Sequence, residues 1–318
     1  MINFIKRAFW FAGILGLLGI STFMLVGALQ RKTTSFSIST EVKYVVLGHS
    51  HPECAYNDSL IQNFRNLAIS GEAYFYTYTK LKKLIEQNKG VELVFIEFTN
   101  NQISESINEW VWADKYLSYH YTIYSSFIEL RDKYLVFKNN PKGFIANSPL
   151  VLKNAVKKLI STPYNIPDSY GGFASLEGDL TAYREKANNQ EAREDFVVIN
   201  NNISQVQISY LSKIVSFLQE ENVKVCLIRS PQHASYSGLG NEGDFQEVLT
   251  KSFSEEYFID LIDFPLNDTH FRDPEHLNHL GAKAVSSWVN DLLLSDFFQA
   301  NKNKKHWDYK DLSEKIKE

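Results

Sequence analysis

The sequence predicts an α/β domain: a three-layer arrangement of a parallel sheet with helices on both faces, a largely helical insertion, and a transmembrane helix in front. Three observations carry this expectation. Short apolar runs that end in Gly, Ser or Asn alternate with segments of helical periodicity. That alternation lapses after the third run and resumes near Ser204. Ahead of it all, Ala8 to Leu29 contains no charged residue.

The N-terminal stretch is bracketed by Lys6-Arg7 and Arg31-Lys32, and as a helix it is long enough to cross the hydrocarbon layer. Val26-Gly27-Ala28 has the form of a signal-peptide cleavage site, but the apolar run exceeds the usual signal core of about 7–15 residues. An uncleaved anchor over 1–32 is therefore expected. The flanking charges are nearly balanced, so the positive-inside rule says little. A short cytoplasmic head puts the body outside the membrane, as a single-pass extracytoplasmic protein. Residues 33–42 are Ser/Thr-rich and read as a stalk.

From 43 to 300 the elements follow in order. Lys43 to Gly48 reads as a buried strand, Phe64 to Ile69 as a second closed by Ser70-Gly71, and Val91 to Phe98 as a third running into Thr99-Asn100-Asn101. Between the last two, Tyr74 to Gln87 places Tyr78, Leu81, Leu84 and Ile85 on one helical face. An insertion spans about 102–204. Its helices are expected over Tyr116 to Phe137 and Pro149 to Ile160, with irregular structure from Ser161 to Asp195, and it is expected to cap the site. Its seven aromatics between Trp110 and Phe127 suit a packed core, or stacking on sugar rings. A helix over Ser204 to Glu221, strands Val223 to Ile228 and Tyr257 to Ile262, and a helix over Leu280 to Leu294 complete the domain. The tail 301–318 is charged and reads as a solvated helix.

Composition excludes several functions. The net charge is -4, and setting aside Lys6, Arg7, Arg31 and Lys32 leaves 29 basic against 37 acidic residues. An acidic body does not suit nucleic acid, whose binding relies on Lys and Arg. Two cysteines, Cys54 and Cys226, are too few for a disulfide scaffold and read as buried thiols. No Gly-x-Ser-x-Gly elbow occurs. His49, His51, Glu53 and Cys54 cluster, and His276 and His279 are three apart, but no His-Glu-x-x-His is present. No metal and no cofactor is expected.

In open parallel sheets, sites form beyond the carboxyl ends of the strands. Ser50 follows the first strand, Gly71 the second, and Asn101 (or Asn100) the third, while Asp273-Pro274-Glu275-His276 precedes the last helix. Asp then Pro reads as a helix start, with Asp273 as N-cap, Pro274 at the first helical position, and His276 within reach of the carboxylate. A serine, an oriented imidazole, a backbone N–H and an amide are the parts of a nucleophilic acyl-transfer site.

Leu47-Gly48-His49-Ser50, Ala68-Ile69-Ser70-Gly71 and Asp273-Pro274-Glu275-His276 resemble blocks of the SGNH, or GDSL-like, hydrolase superfamily, a flavodoxin-like fold. The asparagine block lacks its usual glycine, and His49 replaces the common Asp before the nucleophile. With the anchor, the ending Phe258-Ile259-Asp260-Leu261…His276-Leu277-Asn278-His279-Leu280-Gly281-Ala282 is similar to a membrane-anchored branch. That branch includes the D-alanyl transfer protein of teichoic acid and alginate-type O-acetylation proteins. The resemblance implies an acyl esterase or O-acyltransferase with catalytic Ser50, His276 and Asp273, and oxyanion donors at Gly71 and Asn101. It implies an acylated glycan of the cell envelope or an acyl donor as substrate, and a membrane-bound O-acyltransferase as partner. A catalytically inactive scaffold that binds a membrane partner is the alternative. Intact mass of the mature chain should retain residues 1–28; a product lacking them would make the apolar stretch a cleaved signal.

Overall fold

The computed structural model describes residues 1–188, 202–295, 297–300 and 304–315. Parts of the expected irregular segment (189–195), of the insertion (189–201) and of the tail (301–303 and 316–318) lie outside these. The chain divides into two compact units, 1–36 with 112–166, and 37–111 with 167–318. The stretch read as one insertion is thus shared: 112–166 groups with the N-terminal helix, and 102–111, 167–188 and 202–204 with the sheet.

In the first unit, one helix runs Ile2–Thr33, and its exposed apolar stretch is long enough to cross a membrane. Arg31 and Lys32 fall in its last turn, where positive charge suits the helix dipole. Arg31 donates from Nη1 to the Ser126 carbonyl at 2.8 Å, and Ser126 Oγ bonds the Gln30 side chain. The expected free stalk is partly folded. Thr34–Ser35 pairs in parallel with Tyr164–Asn165, and Phe36 is fully buried with its ring edge-on to Phe127. One apolar side chain among the Ser/Thr residues is enough to dock it. The expected single helix from Tyr116 is broken by a π turn at Leu117–Tyr121 and by a bend before Leu130–Asn139. The next helix starts earlier than expected, at Pro141, because Asn140 caps it through the Gly143 N–H and proline suits the first turn.

The second unit is mixed α/β with a six-stranded parallel sheet. Numbering its elements alone, the strands are β1 (Tyr44–Leu47), β2 (Phe64–Asn66), β3 (Leu93–Glu97), β4 (Lys224–Arg229), β5 (Tyr257–Asp260) and β6 (His306–Asp308). They lie in the order β2-β1-β3-β4-β5-β6. Among its helices are α1 (Ser50–Ala55), α2 (Tyr74–Gln87), α3 (Gln205–Glu220), α4 (Glu242–Ser252) and α5 (His279–Leu294). All five residues of β3 are buried, as a strand at the centre of a parallel sheet requires. Phe95, Cys226, Ile228 and Ile259 point from one face into a core shared with Val285, Val289 and Leu292 of α5. Tyr210, Leu211, Ile214 and Leu218 bury one face of α3.

Two expectations are corrected. The tail is not wholly a solvated helix: His306–Asp308 adds an edge strand, with Trp307 4% exposed and Leu312 fully buried. Their surroundings of lysine and aspartate hid this pair. The last helix does not begin at Asp273-Pro274. It begins at His279, capped by Asn278, whose Oδ1 accepts from the N–H groups of Leu280 and Gly281. Residues 271–277 instead form a tight loop closed by a Phe271–Leu277 bridge and by the Arg272 N–H on the His276 carbonyl.

The register aligns the carboxyl ends. Leu47 lies beside Ile96, Glu97 beside Ile228, and Arg229 beside Asp260. Gly48 leaves β1 at φ +152°, where a Cβ would stand 2.5 Å from Glu97 Cβ and 2.9 Å from Pro52 Cγ. Gly48→Ala should therefore cost roughly 2–5 kcal/mol through backbone strain and overpacking. Thermal unfolding of the detergent-solubilised chain checks this, and an unchanged midpoint would contradict the packing described.

Candidate active site

Gly48 turns the chain so that Ser50 opens α1, half-buried at the sheet edge. Its Oγ lies 2.8 Å from Nε2 of His276, a residue 226 positions away. His276 Nδ1 lies 3.0 Å from both oxygens of Asp273. Asp273 Oδ1 also accepts from the backbone N–H groups of Glu275 and His276, at 2.8 and 2.9 Å. Burial alone would raise the Asp273 pKa. The hydrogen bond and charge of His276 and the two backbone N–H groups outweigh it and hold the carboxyl below its ordinary range. An ionised Asp273 keeps the proton of a neutral His276 on Nδ1, so Nε2 presents its lone pair to the Ser50 hydroxyl. The loop provides this geometry without a helix N-terminus behind the imidazole.

Gly71 lies in the turn after β2 at φ +72°. That turn is held from several sides. The Ile69 N–H donates to the Gly48 carbonyl at 3.0 Å, and Ser70 donates from N to Glu53 Oε2 at 2.9 Å and from Oγ to the same oxygen. Lys80 Nζ holds the Leu67 carbonyl at 2.6 Å and pairs with Glu72 at 2.7 Å.

The two asparagines after β3 differ in their engagements. Asn100 gives Nδ2 to Glu242 at 2.7 Å and receives Arg229 Nη1 on Oδ1 at 3.1 Å. Arg229 also pairs with Asp260 and Glu242, so Asn100 is spent in a structural network. Asn101 takes only Thr99 Oγ1 on its Oδ1, at 2.6 Å, which leaves Nδ2 without a partner among the described residues. Thr99 Oγ1 in turn sits 3.3 Å from His49 Nε2, while the His51 N–H reaches His49 Nδ1 at 3.5 Å. Burial, with the charge His276 can carry, pushes His49 down to about 3. A neutral His49 that accepts on Nδ1 must donate from Nε2 to Thr99, whose hydroxyl then donates to Asn101. The chain of donors ends with the Asn101 amide nitrogen pointing away.

Sequence reasoning weighed His49 as a departure from the family block and as a member of a possible metal cluster, placed Thr99 at a strand end without a role, and missed Glu97 and its pairing with Ser230. Glu97 is fully buried at the end of β3, accepting from Ser230 N at 3.1 Å and Ser230 Oγ at 2.7 Å. His51 is 2% exposed, with Nδ1 2.9 Å from Gln232 Nε2 and its ring 5.6 Å from that of His276. Pairings across more than a hundred residues leave no local trace; the only hint was the density of polar residues just past each strand.

A family model that carries no functional description matches residues 184–298, which include the loop bearing Asp273 and His276. No curated protein matches. Among solved structures, a protein from Streptococcus pneumonia provisionally named as a platelet activating factor is similar at 11% identity. The match covers 89% of this chain and 97% of that one, with a TM-score of 0.41.

Burial raises Glu97 from 4.5 to about 8, even though Ser230 and the charge of Arg229 act against it. Its folded pKa exceeds its unfolded one, so its contribution is fully present below about pH 4.5 and is lost as pH rises through about 8. Wild type should lose on the order of a few kcal/mol across that window, and Glu97→Gln should flatten the slope. Denaturant unfolding at a series of pH values reads this, and equal slopes for the two proteins would refute the assignment.

Proposed function

We propose that this chain is a membrane-anchored, extracytoplasmic serine acyl esterase or O-acyltransferase of the SGNH type, acting on an acylated glycan of the cell envelope. The observation that carries the reading is the unbroken chain from Ser50 Oγ through His276 to Asp273, at 2.8 and 3.0 Å. The strand order supports a flavodoxin-like, three-layer assignment, since doubly wound sheets of that order hold ligands beyond their strand ends. The exposed apolar helix Ile2–Thr33 supports the anchor and, with its short head left in the cytoplasm, an extracytoplasmic body.

In this reading, His276 Nε2 takes the Ser50 proton as Oγ bonds to the acyl carbon. The carbonyl electron pair moves onto oxygen, where the Gly71 N–H and Asn101 Nδ2 donate to it. Collapse expels the donor's alkoxide, which receives the proton from His276 and leaves an acyl-Ser50 ester. Water or a glycan hydroxyl then gives its proton to His276 and takes the acyl group, restoring Ser50. A membrane-bound O-acyltransferase is the partner suited to supply or receive acyl groups beside such an anchor.

With an activated ester such as p-nitrophenyl acetate, Ser50→Ala and His276→Ala should each lower kcat/KM by orders of magnitude. The double variant should be little worse, because the triad acts as a unit. Asn101→Ala should lose about 10²–10³-fold, and Asn100→Ala should instead lower stability. Unchanged turnover in folded Ser50→Ala would hand the chain to the non-catalytic scaffold reading.

A further inference from the structure

Two groups of possible metal ligands occur at the sheet edge among the described residues. One, His49 with His51 and Glu97, is saturated: both His49 nitrogens and both Glu97 oxygens already have hydrogen-bond partners. The other is His51, Glu275 and His276, whose ligand atoms all lie within 4.8 Å of one another. Here His51 Nε2 has no partner among the described residues, in a residue only 2% exposed. A buried ring nitrogen left orphaned is costly and marks a place where a ligand belongs.

We propose that His51, His276 and Glu275 form an inhibitory site for a zinc-class divalent cation that shares His276 with the triad, so that metal occupancy and activation of Ser50 exclude each other. The inference rests on the serine reading for its consequence but not for the binding itself. The outer shell is already that of a metal site, in which a ligating imidazole has its second nitrogen held by a carboxylate or carbonyl. Asp273 holds His276 Nδ1 at 3.0 Å, so a metal would take the Nε2 lone pair that now faces Ser50 Oγ. The Gln232 side chain holds His51 Nδ1 at 2.9 Å, and its Oε1 has no partner. Turning that amide over lets Oε1 accept from Nδ1–H and frees the His51 Nε2 lone pair.

Two imidazoles and a carboxylate suit Zn²⁺, with bonds of about 2.0–2.2 Å and ligand atoms therefore about 3.3 Å apart. Closing from within 4.8 Å falls mainly to Glu275, which is half-buried on the 271–277 loop, while His51 is packed in the interior. Ser50 Oγ, 2.8 Å from the shared nitrogen, occupies the lone pair that the metal would take, so the Ser50 side chain must turn aside as the metal replaces the proton it gives to His276. The ion is an inhibitor in this scheme and takes no part in turnover.

The test uses the full chain in detergent, with Co²⁺ absorption and Zn²⁺ calorimetry as readouts independent of serine reactivity. One equivalent should bind and give the visible bands of low-coordinate cobalt. His51→Gln and Glu275→Gln should each weaken binding by more than about 100-fold, beyond what loss of an outer partner costs. Ser50→Ala should still bind. Fluorophosphonate labelling of Ser50 should slow with Zn²⁺ and recover with EDTA, and in Glu275→Gln it should proceed but ignore Zn²⁺. If wild type binds cobalt yet never labels, the serine reading fails and the metal site stands. Unaltered metal affinity in both His51→Gln and Glu275→Gln, or no binding by wild type, would overturn the proposal.

Discussion

The parallel register of β1, β3, β4 and β5 is the constraint from which the site follows. Because Leu47 is level with Ile96, Glu97 with Ile228, and Arg229 with Asp260, the chain leaves four strands at one edge. Polar contacts then tie exits together, β1 to β2 through Gly48 and Ile69, and β3 to β4 through Glu97 with Ser230 and Asn100 with Arg229. These bonds are buried, so leaving any of them unmade would cost about 1–3 kcal/mol, which fixes the loops more firmly than surface contacts could. Ser50 and His276 meet across 226 residues because Ser50 opens α1 just past β1, while the His276 loop is held to the segment after β4 by the His233 N–H on the Pro274 carbonyl.

The electrostatics of that edge keep His49 and His51 neutral. His49 and His51 stack edge-on at 4.3 Å, and burial drives both below the ordinary histidine range. Asp273 is held ionised beside His276 alone. Charge arriving in the cluster therefore has a stable position on His276, where the Asp273 carboxylate compensates it. The same neutrality gives His49 a defined tautomer, which orients Thr99 and, through it, Asn101.

Much of this was legible in the sequence because burial on both faces writes apolar runs, as in Val91 to Phe98 or Val223 to Ile228. The triad residues were legible because each follows such a run or sits in a short Asp-x-x-His. The helix expected over Leu280 to Leu294 runs from His279 to Leu294, but Asp273-Pro274 was misread as a helix start for a physical reason. Asp273 does cap two backbone N–H groups, as an N-cap would, but it caps a tight loop, and the cap that starts the helix is Asn278. Strand β6 was hidden by its charged neighbours. The choice between Asn100 and Asn101 needed Glu242 and Arg229, which are remote in sequence and could not be paired from it.

The central claim is that Ser50 is an activated nucleophile. Peptide mapping after brief exposure of the full chain to a fluorophosphonate tests it most directly. A single phosphonyl adduct should form on Ser50, at a rate that collapses in His276→Ala. A folded wild-type chain that forms no adduct, or forms it on another serine, would contradict it.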